Sequence, residues 1–250
     1  MTSVLALIGA AGAASTLELL QLSPPGWGAN LLRGLMNSIL IASGAFGLGI
    51  CIGIFGAYGK LYGGPVLRDL LGIYTTVVRA VPELVLILIL YYAVTDAVNQ
   101  LLISFGYARI QLSGLAAGIA VLGVVQGAYA TEVLRGAILA VPAGQIEAAR
   151  AMGMPAGLLA RRITLPAMLS FAMPGLANLW LVATKDTALL AVVGFGELTQ
   201  ETRQAAGTTK AYFTFFMAAG MLYLTLSIGS GLLFGRIEKW ARRGQPEVRG

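Results

Sequence analysis

Four stretches of this sequence, 34–59, 110–131, 163–184 and 211–235, each exceed twenty residues and contain no charged side chain. About 20 predominantly apolar residues are enough to cross a bilayer as one helix, and a helix satisfies its own backbone hydrogen bonds where no water can. A fifth segment, 70–95, is long enough but contains Arg79 and Glu83. Five membrane-spanning helices are therefore expected. Only 11% of the 250 residues are charged, against about 25% in soluble domains, which supports an all-α integral membrane fold.

The net charge of +6 invites a nucleic-acid reading, but the placement of the basic residues argues for orientation instead. Segments between spans are assigned alternately to the two sides, with the C-terminus cytoplasmic. The cytoplasmic set then holds Lys60, Arg68, Arg135, Arg150, Arg161, Arg162, Arg236, Lys239, Arg242, Arg243 and Arg249. The far side holds Arg33, Arg109, Arg203 and Lys210. This asymmetry is the positive-inside bias; it predicts an external N-terminus and no nucleic-acid partner. Cys51 is the only cysteine and there is no histidine, which excludes internal disulfides, histidine catalysis and histidine-ligated metal sites.

Residues 1–26 have an apolar run and small residues but no basic start, so they are expected to form an interfacial helix rather than a leader or a sixth span. Residues 27–240 are expected to form the transmembrane domain, and 241–250 a basic cytoplasmic tail. In the first span Ala45, Gly49, Gly53 and Ala57 recur every four positions. This spacing lets two helix backbones approach closely, either within the chain or between chains. The stretch 53–61, GIFGAYGKL, looks like a phosphate-binding loop but has five residues between its glycines and Leu61 after Lys60. The loop requires four, then Ser or Thr.

Three further features carry chemistry. Arg79 and Glu83 are four apart around Pro82, so one kinked helix face would pair them; ionisable groups at membrane depth are functional candidates by default. Glu132 and Arg135 are read as a pair at the cytoplasmic interface. Lys185 and Asp186 close the fourth span, and the apolar stretch 187–196 is too short to cross a bilayer. A broken or re-entrant element lining a cavity is expected there.

Between the third and fourth spans, 142–166 reads as a polar helical hairpin. Gln145 to Met152 forms one helix, Gly153 supplies a left-handed stop, and Pro155 opens a second helix through Leu158 to Arg162. Met152, Met154, Leu158 and Leu159 give it an apolar face suited to a partner groove.

The run Glu147-Ala148-Ala149, then Gly153, then Ile163, Leu165 and Pro166 resembles the signature of permease subunits of ATP-binding-cassette importers. The flanking RGAILAVPAGQIEAARAMG, KDTALLAVVGFGEL and GKLYGGPVLRDLLGIYTTVVRAVPELVL are similar to the polar amino-acid uptake branch, notably the histidine/lysine-arginine-ornithine and opine permeases. The likeness spans about 27–240. It implies a type I importer permease in a bacterial inner membrane, with ATP and Mg held by separate ATPase subunits and no cofactor in this chain. Glu147, Ala148, Ala149, Gly153, Ile163, Leu165 and Pro166 would couple the hairpin to the ATPase. It further implies a second permease subunit, identical or homologous, and a periplasmic or extracellular amino-acid-binding protein. The substrate path would include Glu83, Lys185, Asp186 and Thr187. Such acids would favour a cationic amino acid or opine, although each has a basic neighbour in sequence. Rival readings are an ion-coupled secondary transporter, for which five spans show no repeated halves, and a membrane enzyme, for which the chain offers few catalytic groups.

Overall fold

The computed structural model describes residues 16–108, 114–241 and 243. After a helical turn at Thr16–Leu19, the chain forms α1 (Gly28–Tyr62), α2 (Pro65–Ala80), α3 (Glu83–Ser104) and α4 (Gly114–Leu139). The hairpin follows as α5 (Ala143–Ala151) and α6 (Ala156–Leu159), then α7 (Leu165–Asp186), α8 (Leu198–Thr209) and α9 (Tyr212–Ala241). Among the described residues, five helical segments are long and apolar enough to cross a membrane: Gly28–Tyr62, Glu83–Ser104, Gly114–Leu139, Ala156–Val193 and Tyr212–Ala241. Most of 1–26 and of the tail 241–250, together with Arg109, Arg242 and Arg249, lie outside the described residues.

The expected second span is corrected in register. A single kinked helix over 70–95 does not form; α2 stops at Ala80 and α3 starts at Glu83. Val81 is extended at φ −90°, ψ 138°, because the residue before a proline is pushed out of the helical region, and Pro82 at φ −54°, ψ 133° precedes the new helix. Arg79 and Glu83 therefore sit on different helices, and the expected helical pair is not formed. Pro82 separates a 16-residue amphipathic helix from the true span.

The core is a seam between α1 and α4. Ala45, Gly49, Gly53 and Ala57 are all buried, and a Cβ built on Gly53 would stand 2.6 Å from Ala130 Cβ. The small-residue stripe of the first span thus brings two helices of one chain together. α7 closes the other side of α4 through Leu134, Ala137, Met168, Ala172 and Leu176. α3 and α9 bury little of themselves against the rest of the chain, which leaves their apolar faces to lipid or another subunit.

α6 does not end before α7. It passes through a π-helical turn at Ala160–Thr164 directly into Leu165. A proline in a continuous helix clashes with the carbonyl four residues earlier; the wider π turn ahead of Pro166 accommodates that ring. Residues 156–186 consequently form one helical rod. At its other end the helix tightens into a 3-10 segment, Thr187–Val193, which Gly194 terminates at φ 82°.

Candidate functional site

Halfway along α4, one helix face presents Gln126 and Tyr129, three residues apart and hence neighbours on the surface. The Gln126 amide donates to Asp186 Oδ2 at 3.2 Å. The Tyr129 hydroxyl donates to Glu83 Oε1 at 3.2 Å. The start of α3 and the end of α7 are thereby brought to the same patch of α4, and the Glu83 and Asp186 carboxyl groups lie within electrostatic reach of each other. Arg79 completes the group, its guanidinium 6.0 Å from the centre of the Tyr129 ring, at the outer range of a cation–π contact.

The expected substrate-path residues divide accordingly. Glu83 and Asp186 come together; Asp186 and Thr187 are buried, whereas Lys185 points to the exterior. Thr187 is turned back on its own helix, its hydroxyl donating to the carbonyl of Thr184 at 2.9 Å. Two acids this close in a low-dielectric setting share a proton or draw a cation between or beside them, so the arrangement can take a positively charged solute group. Gln126 and Tyr129 were not expected from the sequence. The signal was there in Gln126, the one amide in the uncharged run 110–131 apart from Gln111 near its start.

A second polar cluster lies nearer the hairpin. Lys60 Nζ donates to Glu132 Oε1 at 2.5 Å and to Thr75 Oγ1 at 2.9 Å, while Arg135 reaches Glu132 Oε2 at 2.9 Å. The expected Glu132–Arg135 pair is present, but Lys60 turns it into a junction of α1, α2 and α4.

In the hairpin, α5 ends at Ala151 and Gly153 adopts φ 75°. The Gly153 and Met154 amides donate back to the carbonyls of Arg150 and Ala149 at 2.9 and 3.1 Å. Glu147, Ala148, Met152, Leu158, Leu165 and Pro166 are exposed, Ile163 is half-buried, and Ala149 is buried. Leu159, expected on the exposed apolar face, is instead buried at 7%, because it is the first residue of the rod to face the body of the protein. A cleft of about 300 Å³ separates the hairpin from the end of α9, lined by Gln145, Arg162, Ile163 and Pro166 among others.

At the opposite end, Glu197 is fully buried and caps α8, accepting from the amides of Thr199 and Gln200 at 2.9 and 2.8 Å. Burial pushes its carboxyl above the ordinary range, against the opposing pull of these hydrogen bonds.

Residues 49–243 match the sequence profile of the family described as binding-protein-dependent transport system inner membrane component. The chain belongs to that family. The permease is 42% identical over 233 residues to the nopaline transport system permease protein NocQ of Agrobacterium fabrum, covering 91% of this chain and 98% of that protein. It is 37% identical over 209 residues to the histidine/lysine/arginine/ornithine transport system permease protein HisQ of Escherichia coli, covering 83% and 92%. Among solved structures, a chain of an amino acid ABC transporter superposes with a TM-score of 0.73 at 26% identity, covering 85% of the permease and 94% of that chain. Neither the fold nor these likenesses support the ion-coupled alternative.

Proposed function

We propose that this chain is the membrane-spanning permease subunit of an ATP-binding-cassette importer for polar amino acids or opines, with a preference for cationic solutes. The meeting of Glu83 and Asp186 on one face of α4 carries the substrate side of this reading. The names of the relatives, which include nopaline, octopine and histidine/lysine/arginine/ornithine permeases, point the same way. Thr187 and Lys185 flank Asp186 along the chain and stay part of the proposed path, Lys185 from the exposed side of the helix. A periplasmic or extracellular binding protein delivers the solute, and a second permease subunit closes the path.

ATP and Mg belong to partner ATPase subunits, which grip the hairpin 142–166. Glu147 and Met152 project from it, Ala148 and Ala149 form its first helix, and Gly153 sets its bend. Ile163, Leu165 and Pro166 join the hairpin to the transmembrane domain, 27–240. From Ala156 to Asp186 the chain runs as one continuous helix of about 46 Å at 1.5 Å per residue, with a π turn at Ala160–Thr164 and Pro174 inside it. A displacement of the hairpin by a closing ATPase would be carried along this continuous helix to Asp186. In this reading the N-terminus is outside and the tail 241–250 cytoplasmic, in a bacterium's inner membrane, as the distribution of basic residues suggests.

The test is uptake of labelled arginine into proteoliposomes holding the permease with its ATPase and binding protein. Uptake should require ATP, and Glu147→Arg should abolish it while the chain still inserts. Asp186→Asn and Glu83→Gln should each weaken cationic more than neutral solutes, by about tenfold for one lost charge contact. ATP-independent uptake, or an unaltered solute profile in both amide variants, contradicts the proposal.

A further inference from the structure

Gln126 is 1% exposed, and while its amide nitrogen donates to Asp186, its Oε1 is a buried acceptor with no partner. A buried polar atom left unpaired is costly, so an amide in a membrane helix needs a reason to stay. Tyr129, one helical turn away, has the parallel role: its hydroxyl holds Glu83 while its ring faces Arg79. Neither acid is held by a cation through a direct ion pair among the described residues; the two shortest side-chain donors to them are both on α4.

We infer that Gln126 and Tyr129 form a clamp that fixes the separation of the Asp186 and Glu83 carboxylates and so determines selectivity for a cationic solute group. The inference rests on the solute reading above and adds the residues that tune it. Gln126 and Tyr129 are positioning residues, acting through the acids they hold. α7 and α3 approach α4 from different directions, so without the clamp each carboxylate is free to turn to another rotamer. A cation then meets one acid at a time. The unpaired Gln126 oxygen adds a negative dipole end beside Asp186, which disfavours a second anion and favours an incoming N–H group.

The experiment measures equilibrium binding of labelled arginine and glutamine to the detergent-purified permease with its ATPase and without the binding protein, which would otherwise impose its own selectivity. Tyr129→Phe removes only the hydroxyl and keeps the ring under Arg79. Gln126→Leu removes the amide at similar volume. Each should lower the arginine-over-glutamine affinity ratio by about tenfold, the size of one charge-assisted hydrogen bond, with glutamine affinity little altered. A merely structural role would change stability or both affinities together and leave the ratio intact. If Gln126→Leu cannot be purified, Tyr129→Phe decides alone. A ratio lowered by Asp186→Asn but unmoved by Tyr129→Phe overturns the clamp and leaves the solute reading standing. A ratio unmoved by Asp186→Asn and Glu83→Gln, or no preference for arginine in the unaltered protein, overturns both.

Discussion

The Tyr223 hydroxyl donates to Glu197 Oε2 across 3.0 Å, tying the middle of α9 to the cap of α8. Ser38 on α1 donates to the same oxygen at 3.3 Å and accepts from the Leu198 amide at 3.2 Å. One buried carboxylate therefore fastens three helices. Removing it in Glu197→Ala takes away an N-cap, worth about 1 kcal/mol, and one hydrogen bond each from the buried Ser38 hydroxyl and the half-buried Tyr223 hydroxyl, which keeps Thr199, at about 1 kcal/mol each. The total is about 3 kcal/mol, and a thermal midpoint in detergent should fall by roughly 6–12 °C at the ~2–4 °C per kcal/mol of chains this size.

The same residue gives a pH signature. Its folded pKa is raised above the ordinary 4.5 by burial, so the folded state binds the proton more tightly than the unfolded state. Stability from this group is then greatest at low pH and declines as pH rises from 4.5 through the higher folded value, levelling off above it. Glu197→Gln cannot ionise and should lose that downward slope. The check is a denaturation midpoint series from acid to neutral pH on both proteins; parallel profiles would show that Glu197 titrates normally.

The seam of α1 and α4 predicts a contrast between two glycines in one helix. A Cβ at Gly53 would stand 2.6 Å from Ala130 Cβ and 2.9 Å from the Ala130 carbonyl carbon. Gly47 has nothing within 4 Å. Gly53→Ala should therefore cost about 1–3 kcal/mol through overpacking. Gly47→Ala should be neutral or gain up to about 1 kcal/mol in helix propensity. Thermal unfolding of the two single variants, read by tryptophan fluorescence, distinguishes them; equal stabilities would mean that the helices re-seat at no cost.

The spans of α1, α4, α7 and α9 were legible because lipid demands long uncharged helices, and length alone marks them. The Ala45–Gly49–Gly53–Ala57 stripe announced a close helix contact, but its spacing does not name the partner helix. Around Pro82 the sequence pattern misled: the apolar residues of 70–95 read as one span despite Arg79 and Glu83, and the local backbone restriction at Val81 splits them into two helices. Glu83 and Asp186 were legible as charges out of place. That they meet, and that Gln126 and Tyr129 hold them, depends on how α3 and α7 cross α4, which no periodicity encodes. Glu197 was hidden because an acid outside the spans looks like an ordinary surface residue until three helices close over it.

Lys60 and Arg135 share Glu132, at 2.5 and 2.9 Å, with the Lys60 and Glu132 side chains under one-fifth exposed. Removing Glu132 should therefore cost more than removing either cation, since it strands two. A double-mutant cycle of Lys60→Met and Glu132→Gln should return a coupling of about 0.5–3 kcal/mol, reduced but not abolished in an Arg135→Met background. A coupling near zero would show that solvent screens the pair as it does exposed ones.

The sharpest test of the hairpin is conformational rather than chemical. Gly153 sits at φ 75° with open space around the position of a Cβ, so a side chain there is penalised by the backbone alone. Gly153→Ala should cost about 1–2 kcal/mol in the left-handed conformation, while Gly153→Asn should cost less because asparagine tolerates it. If the bend aims Glu147 and Met152 at an ATPase, this local strain should be read out as uncoupling. ATP hydrolysis by the assembled complex would continue or rise while solute uptake falls in the order glycine, asparagine, alanine. Replacing Gly157, which also has open space but no positive φ, should leave uptake unchanged. Equal uptake by Gly153→Ala and the unaltered protein would mean that the angle between α5 and α6 does not matter to transport, and the transmission of force along the rod to Asp186 would have to begin elsewhere.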